Sequence, residues 1–340
     1  MQQSPLPDNE TPNSPAPEKG IRDVLGKWLS VLLPVLLGIY LIIYTFDKFT
    51  PEQIQEIKSY FHNADYFYIL IAAFIAVLGS ASRAYRWKYA LGHMGYDSRF
   101  ANNFMAVNIG YLLNLTVPKS GEISRAVIVK KYDNIPFDKG FGTIVAERIV
   151  DMVILLAFML AAIVLQFDIA KAFILDKIPL NKLIIVLIAG VFFFTTMLMV
   201  YLYSKSPLIL KLKKQVAGLK EGVLSIVHME KKWAFFGHTA FIWISYIMMF
   251  YVTIFTFSET SDLSFGAVVT SFVVGSIAIA FTNSGFGSYP FLISKILLFY
   301  AVPETVGNAF GWIVWTSQMI VVVILGALSF LLLPVFNRTK

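Results

Sequence analysis

Apolar residues along this chain run in long uninterrupted stretches rather than in alternation. Clear runs cover residues 28–46, 66–82, 141–166, 181–203, 234–256 and 307–333. A hydrocarbon core about 30 Å thick takes roughly 20 helical residues to cross, and none of these runs shows the period-two pattern of barrel strands. The pattern predicts six membrane-spanning helices. Two further apolar regions, 101–133 and 265–301, are broken near their middles by VPKSGE at 117–122 and TNSGFGSYP at 282–290. Each region is either two short half-helices or one interrupted crossing.

Loop charge indicates how these segments thread the membrane, because cytoplasmic loops are enriched in Lys and Arg. Segments 1–28, 83–100, 119–140, 204–233 and 334–340 together hold 21 basic residues, against 5 in 47–65, 167–182, 257–264 and 301–306. That asymmetry is self-consistent only if 101–133 enters and leaves on the cytoplasmic side while 265–301 enters and leaves on the other. The expected fold is an all-α polytopic membrane protein with six full transmembrane helices plus two re-entrant hairpins, eight membrane segments in all. Half-repeats at about 25–166 and 181–333 then have three crossings each, and the odd number makes the second an inverted copy of the first. Residues 1–24 are expected to form a disordered cytoplasmic tail, rich in Pro, Asn and Ser at its start, and 336–340 a second cytoplasmic tail. No cleavage site follows the first run, so no removed signal peptide is expected.

Composition agrees with this pattern and narrows the chemistry. The 340 residues are 57% hydrophobic and only 14% charged, with a mean hydropathy of +0.69. The net charge of +7 lies in loops beside apolar runs, which fits attraction to anionic lipid and gives no reason to expect nucleic acid. Cysteine is absent, which removes disulfides, thiol catalysis and cysteine-held metals. His62, His93, His228 and His238 have no metal-ligand spacing, and no Walker loop or nucleophile with a base is present. No cofactor is expected.

Candidate site residues gather at the breaks and just beyond them. In the first, Pro118 and Gly121 interrupt the helix and Ser120 is placed to cap the next one, with Glu122 and Arg125 one turn apart. Asn114 precedes the break, and Lys119 with Arg125 beside a helix N-terminus suits a phosphate or carboxylate. An ordinary capped loop at the interface fits the same residues. The run VAERIVDMV brings Glu147, Arg148 and Asp151 into an apolar span, where an ionised group costs about 2.5–3.5 kcal/mol at the bilayer centre. Arg148 and Asp151 are spaced as an internal pair, leaving Glu147 for Arg125, Arg83 or Arg86. Arg83 and Arg86, one turn apart beside Trp87, read either as an interfacial anchor or as a fork for lipid phosphate. In the second break Asn283, Gly285 and Gly287 offer backbone N–H groups for an anion nest, or simply a tight turn. Lys295 is expected to snorkel outward and Gln318 to donate across the bundle, while Trp28, Trp87, Trp233 and Trp312 are expected to form an interfacial belt.

At NLTVPKSGEISRAV followed by AERIVDMV, the chain resembles the lysylphosphatidylglycerol synthase transmembrane-region family, also called flippase-like or UPF0104, over about residues 25–335. The family pattern falls on Asn114, Pro118, Lys119, Gly121, Glu122, Arg125, Glu147, Arg148 and Asp151. The resemblance implies movement of an aminoacylated phosphatidylglycerol between leaflets, with synthesis assigned to a separate soluble portion. No such portion lies within these residues, so a lipid flippase or scramblase-like transporter of a bacterial cytoplasmic membrane, both termini cytoplasmic, is expected rather than an enzyme. A membrane-embedded lipid-modifying transferase, or the membrane subunit of a cell-envelope synthase, is the alternative. Expected partners are anionic phospholipids or glycolipids, with a homo-oligomer or an envelope-biosynthesis partner also compatible. One departure is the late glycine motif, often followed by an acidic residue in relatives, which reads GFGSYP here.

Overall fold

The computed structural model describes residues 21–167, 180–210, 213, 226–282 and 284–338. Among these the chain is helical throughout, with no strand. Helices α1 (Ile21–Phe46), α2 (Pro51–Asn63), α3 (Tyr66–His93), α4 (Phe100–Thr116), α5 (Ser120–Asp133) and α6 (Phe137–Leu165) form one half. Helices α7 (Leu180–Tyr203), α8 (Lys232–Thr253), α9 (Phe265–Phe281), α10 (Ser288–Leu298) and α11 (Glu304–Phe336) form the other. The helices α3, α6, α8 and α11 are long and apolar enough to cross a membrane, and α1 with α2 makes a fifth candidate bent by 114°. Helix α7 carries a shorter apolar stretch, Ile188–Tyr203. Residues 1–20 of the expected tail, Asn283 and residues 339–340 lie outside the described residues, while residues 21–24, expected in that tail, begin helix α1.

Helix starts follow local chemistry. Thr50 and Gln53 form a reciprocal capping box at α2, Asp65 accepts from Phe67 N at α3, and Ser264 accepts from Ala267 N at α9. Helix α3 does not stop where the hydropathy drops at Arg83. It continues to His93 and ends before Gly95, whose φ is +83°. Arg83 and Arg86 are therefore inside a helix in the protein interior, not in a loop.

The two broken regions are antiparallel helical hairpins. In α4–α5, Asn102 Nδ2 donates to Asp133 at the open end (2.8 Å) and Asn114 Oδ1 accepts from Gly121 N near the tip (2.8 Å). Gly110 and Gly121 face each other so closely that a side chain on Gly121 would collide with the Gly110 carbonyl. In α9–α10, Gly275 packs against the Tyr289 ring and Thr282 hydrogen-bonds to Ser288 at the tip (2.7 Å).

Helix α11 passes along both hairpins. Its start packs on α10 at Ser294 and Pro290, through Gly307 and Gly311. Trp315 Nε1 donates to Ser284 O in the second tip (2.8 Å), Gly326 packs against Asn108 and Leu112 of α4, and Asn337 bonds to Asn102 at the open end of the first hairpin (2.9 Å). The hairpins thus flank α11 from opposite ends, tips toward its middle.

The order long helix, hairpin, long helix occurs twice, as α3–α6 and α8–α11. Both hairpins end the same way: a left-handed residue (Asn134 φ 56°, Ala301 φ 61°), a buried apolar residue (Ile135, Val302), then a proline (Pro136, Pro303) opening the long helix. Helices α3 and α8 pack along each other in opposite directions. The pairs Ser82–His238 and Tyr68–Phe255 fix that sense.

Candidate functional site

The site begins on two helix faces. Arg83 and Arg86 are three residues apart on α3, and Glu147 and Asp151 four apart on α6, so each pair projects from one side of its helix. Packing α3 on α6 brings them together. Asp151 accepts from Arg83 Nη1 (3.1 Å) and from both Nη1 (2.7 Å) and Nη2 (3.1 Å) of Arg86, a bidentate clasp. Glu147, fully buried, accepts from Arg125 Nη2 of α5 (3.0 Å) and lies 3.5 Å from Arg86 Nε. Removing several ions from water costs several kcal/mol each, which only this density of pairing offsets.

Aromatic rings complete the packing. The Arg125 guanidinium lies 4.2 Å from the centroid of Trp87, whose Nε1 donates to Thr143 (3.0 Å), and Arg86 sits over Phe235. Trp87 is fully buried and is not part of an interfacial belt; Trp233, by contrast, is 79% exposed. Arg83 also donates to the Tyr246 hydroxyl on α8 (3.0 Å).

A second, more open layer faces a cavity of about 720 Å³. Arg148 Nη2 donates to Glu122 (2.8 Å), with side-chain exposures of 40% and 20%, and approaches Asp151 only at 4.0 Å. The helical spacing suggested Glu122–Arg125 and Arg148–Asp151 pairs. The Arg148–Asp151 pair is present at 4.0 Å and Glu147 meets Arg125 and Arg86 as expected, but Glu122 pairs with Arg148 and not with Arg125, because α5 packs on α6 with Arg125 turned inward and Glu122 toward the cavity. Lys119 takes the left-handed N-cap position of α5 (φ 65°) and lines the cavity. Ser120 does not cap α5; its hydroxyl donates back to Leu113 O and Val117 O, and Asn114 receives the free Gly121 N–H instead.

The cavity lies between the hairpin tips. Asn114, Lys119 and Glu122 reach it from the first, and Thr282, Ser284 and Tyr289 from the second. Nine of the site residues expected from sequence, Arg83, Arg86, Asn114, Lys119, Glu122, Arg125, Glu147, Arg148 and Asp151, thereby form one continuous cluster. Gly285 and Gly287, with φ of 80° and 69°, shape the second tip. Gly287 packs against Gly38 of α1, and the neighbouring N–H groups of Ser288 and Tyr289 donate to Phe286 O and Gly285 O within the tip. Lys295 pairs with Glu304 instead of extending outward, and Gln318 lines the cavity.

Sequence reasoning missed Tyr111, Trp243 and Tyr246, which also line the cavity. Trp243 is buried and its Nε1 has no acceptor among the described residues. In an apolar run an aromatic gives no signal of which way it faces. No group of His, Asp or Glu among the described residues is arranged to hold a metal ion.

The sequence profile of the lysylphosphatidylglycerol synthase transmembrane region matches residues 31–326. The chain belongs to that family. It is 29% identical over 148 residues to a UPF0104 membrane protein of Methanocaldococcus jannaschii, covering 42% of this chain and 41% of that protein. It is 28% identical over 129 residues to a UPF0104 membrane protein of Pyrococcus horikoshii, covering 37% and 38%. A glycosyltransferase, AglD, of Haloferax volcanii is 30% identical over 130 residues, covering 38% of this chain and 19% of that protein. The matches span less than half of each relative's own length. No solved structure matches. With its candidate spans, the family assignment makes this a multi-pass membrane protein.

Proposed function

We propose that this protein moves a lipid between the leaflets of a cytoplasmic membrane, carrying a phospholipid or glycolipid head group through the cavity between its hairpin tips. The observation that carries this reading is the position of that cavity: polar and charged groups from two hairpins meet there, against apolar walls such as Leu155 and Leu325. A head group needs the first and acyl chains tolerate the second.

In this reading the hairpins are re-entrant, entering from opposite faces, and the two halves form an inverted repeat with both termini cytoplasmic. The antiparallel packing of α3 on α8, the shared ending of the hairpins and their placement at opposite ends of α11 support it. Alternate opening of one hairpin, then the other, exposes the cavity to each leaflet in turn. Non-helical backbone at the tips is tolerable at that depth because it is covered by protein or lines the cavity. The buried layer of Arg83, Arg86, Arg125, Glu147 and Asp151 holds α3, α5 and α6 in register; Lys119, Arg148, Asn114 and Glu122 meet the head group.

Reconstitution of the full chain into liposomes with head-group-labelled lipids tests this. Leaflet exchange that is lost in Arg148→Ala, with the melting temperature retained, is expected. The alternative, a membrane-embedded lipid-modifying transferase, draws on the name of the Haloferax relative. A covalently altered lipid without exchange would establish it and sink the transport reading.

A further inference from the structure

Among the described residues, three charged side chains line the cavity: Lys119, Arg148 and Glu122. Behind them lie Arg83, Arg86 and Arg125 with Glu147 and Asp151. Five cations therefore stand against three carboxylates, an excess of two positive charges in a cluster that runs from the buried layer out to the exposed Lys119. Every one of these carboxylates is already engaged: Asp151 by Arg83 and Arg86, Glu147 by Arg125, and Glu122 by Arg148. By these pairings one surplus cation lies in the buried layer, where Arg83 and Arg86 share Asp151, and the other at the cavity wall, where exposed Lys119 and half-exposed Arg148 face Glu122 alone.

Resting on the transport reading, we infer that the cargo is a lipid whose head group is net anionic, a phosphate without an appended amine, and that aminoacylated lipids of the kind in the family's name are disfavoured. The exchange geometry gives the reason. A phosphate that draws Arg148 away from Glu122 gains two cations, and Glu122 keeps the Asn114 amide at 3.4 Å. An ammonium that takes Glu122 instead leaves Arg148 only the Asp151 contact at 4.0 Å and stands beside both Arg148 and Lys119, a like-charge arrangement with less water to screen it. The remaining polar lining is neutral. The Trp243 ring, Tyr246 and Gln318 complete that lining, the last two with hydrogen-bonding groups.

Equilibrium binding to the full chain in detergent separates this inference from transport itself. Short-chain phosphatidylglycerol, phosphatidic acid, lysyl-phosphatidylglycerol and inorganic phosphate are titrated against tryptophan fluorescence, with thermal melts as a check on folding. Phosphatidylglycerol and phosphatidic acid are expected to bind at least about tenfold more tightly than lysyl-phosphatidylglycerol. Arg148→Gln should weaken phosphatidylglycerol about tenfold, whereas Glu122→Gln should tighten it several-fold, a gain that misfolding does not produce. Lysyl-phosphatidylglycerol binding as tightly as phosphatidylglycerol, no binding of any lipid, or Glu122→Gln weakening the anionic lipids would overturn the inference. So would displacement of lipid by an equal concentration of inorganic phosphate, which would mark a free-phosphate site. Selective binding without leaflet exchange would leave the charge selectivity standing and remove transport alone.

Discussion

Arg125 and Glu147 are joined at 3.0 Å in the protein interior, and that bond ties the charged hairpin to the long helix that follows it. Neither group has exposed surface to fall back on. Glu147→Ala leaves Arg125 buried beside Arg86 with no carboxylate of its own, and should cost about 3–5 kcal/mol of stability. Replacing both, as Arg125→Met with Glu147→Leu, should cost much less than the sum of the single changes. Thermal melts of the four proteins in one detergent check this, and additive losses would show that the pair is not coupled.

The glycine contact at the first hairpin gives a sharper steric test. Gly121→Ala drives a methyl group into the Gly110 carbonyl and the Asn114 amide, and should destabilise by about 1–3 kcal/mol. Gly142→Ala on α6 meets no heavy atom within 4 Å and should be neutral or stabilising by up to about 1 kcal/mol. If both shift the melting temperature alike, the hairpin is less tightly closed than described.

The second tip depends on one indole. Trp315→Phe keeps most of the ring but removes the donor to Ser284 O, at a net cost of about 0.5–1.5 kcal/mol. Hydrogen exchange should rise in residues 284–289 and stay unchanged in 118–123. Equal acceleration at both tips would indicate a global effect instead.

Topology is open to direct labelling because the chain contains no cysteine. Lys131→Cys, at the open end of the first hairpin, and Asp262→Cys, ahead of the second, are both exposed. A membrane-impermeant maleimide is expected to reach Lys131→Cys from the cytoplasmic side and Asp262→Cys from the other. Labelling of both from one face would refute the inverted arrangement.

Much of the site was readable at VPKSGE and AERIVD because a broken helix and charges in an apolar run are both local features. Their partners were not. Arg83 ends the apolar run in any one-dimensional reading, yet α3 continues through it, since an ion pair contributed by α6 does not register in the hydropathy of α3. The i, i+3 rule paired Glu122 with Arg125 because both lie on α5; tertiary packing sent each to α6 instead. Trp87 looked like a belt residue for the same reason: it is buried by residues distant in sequence, among them Ile144 and Phe235 of its apolar cluster and Arg125, 38 positions away. The placement of Tyr246 and Trp243 required knowing that α8 lies against α3.

Helix α11, with 33 residues, is about 50 Å long, and it is a single rod on which both hairpins rest. A screw-like shift of that rod that loosens Trp315 from Ser284 also moves Gly326 past Asn108. In the proposed transport cycle the two hairpins therefore share one spindle, so that the opening of each would be mechanically bound to the other.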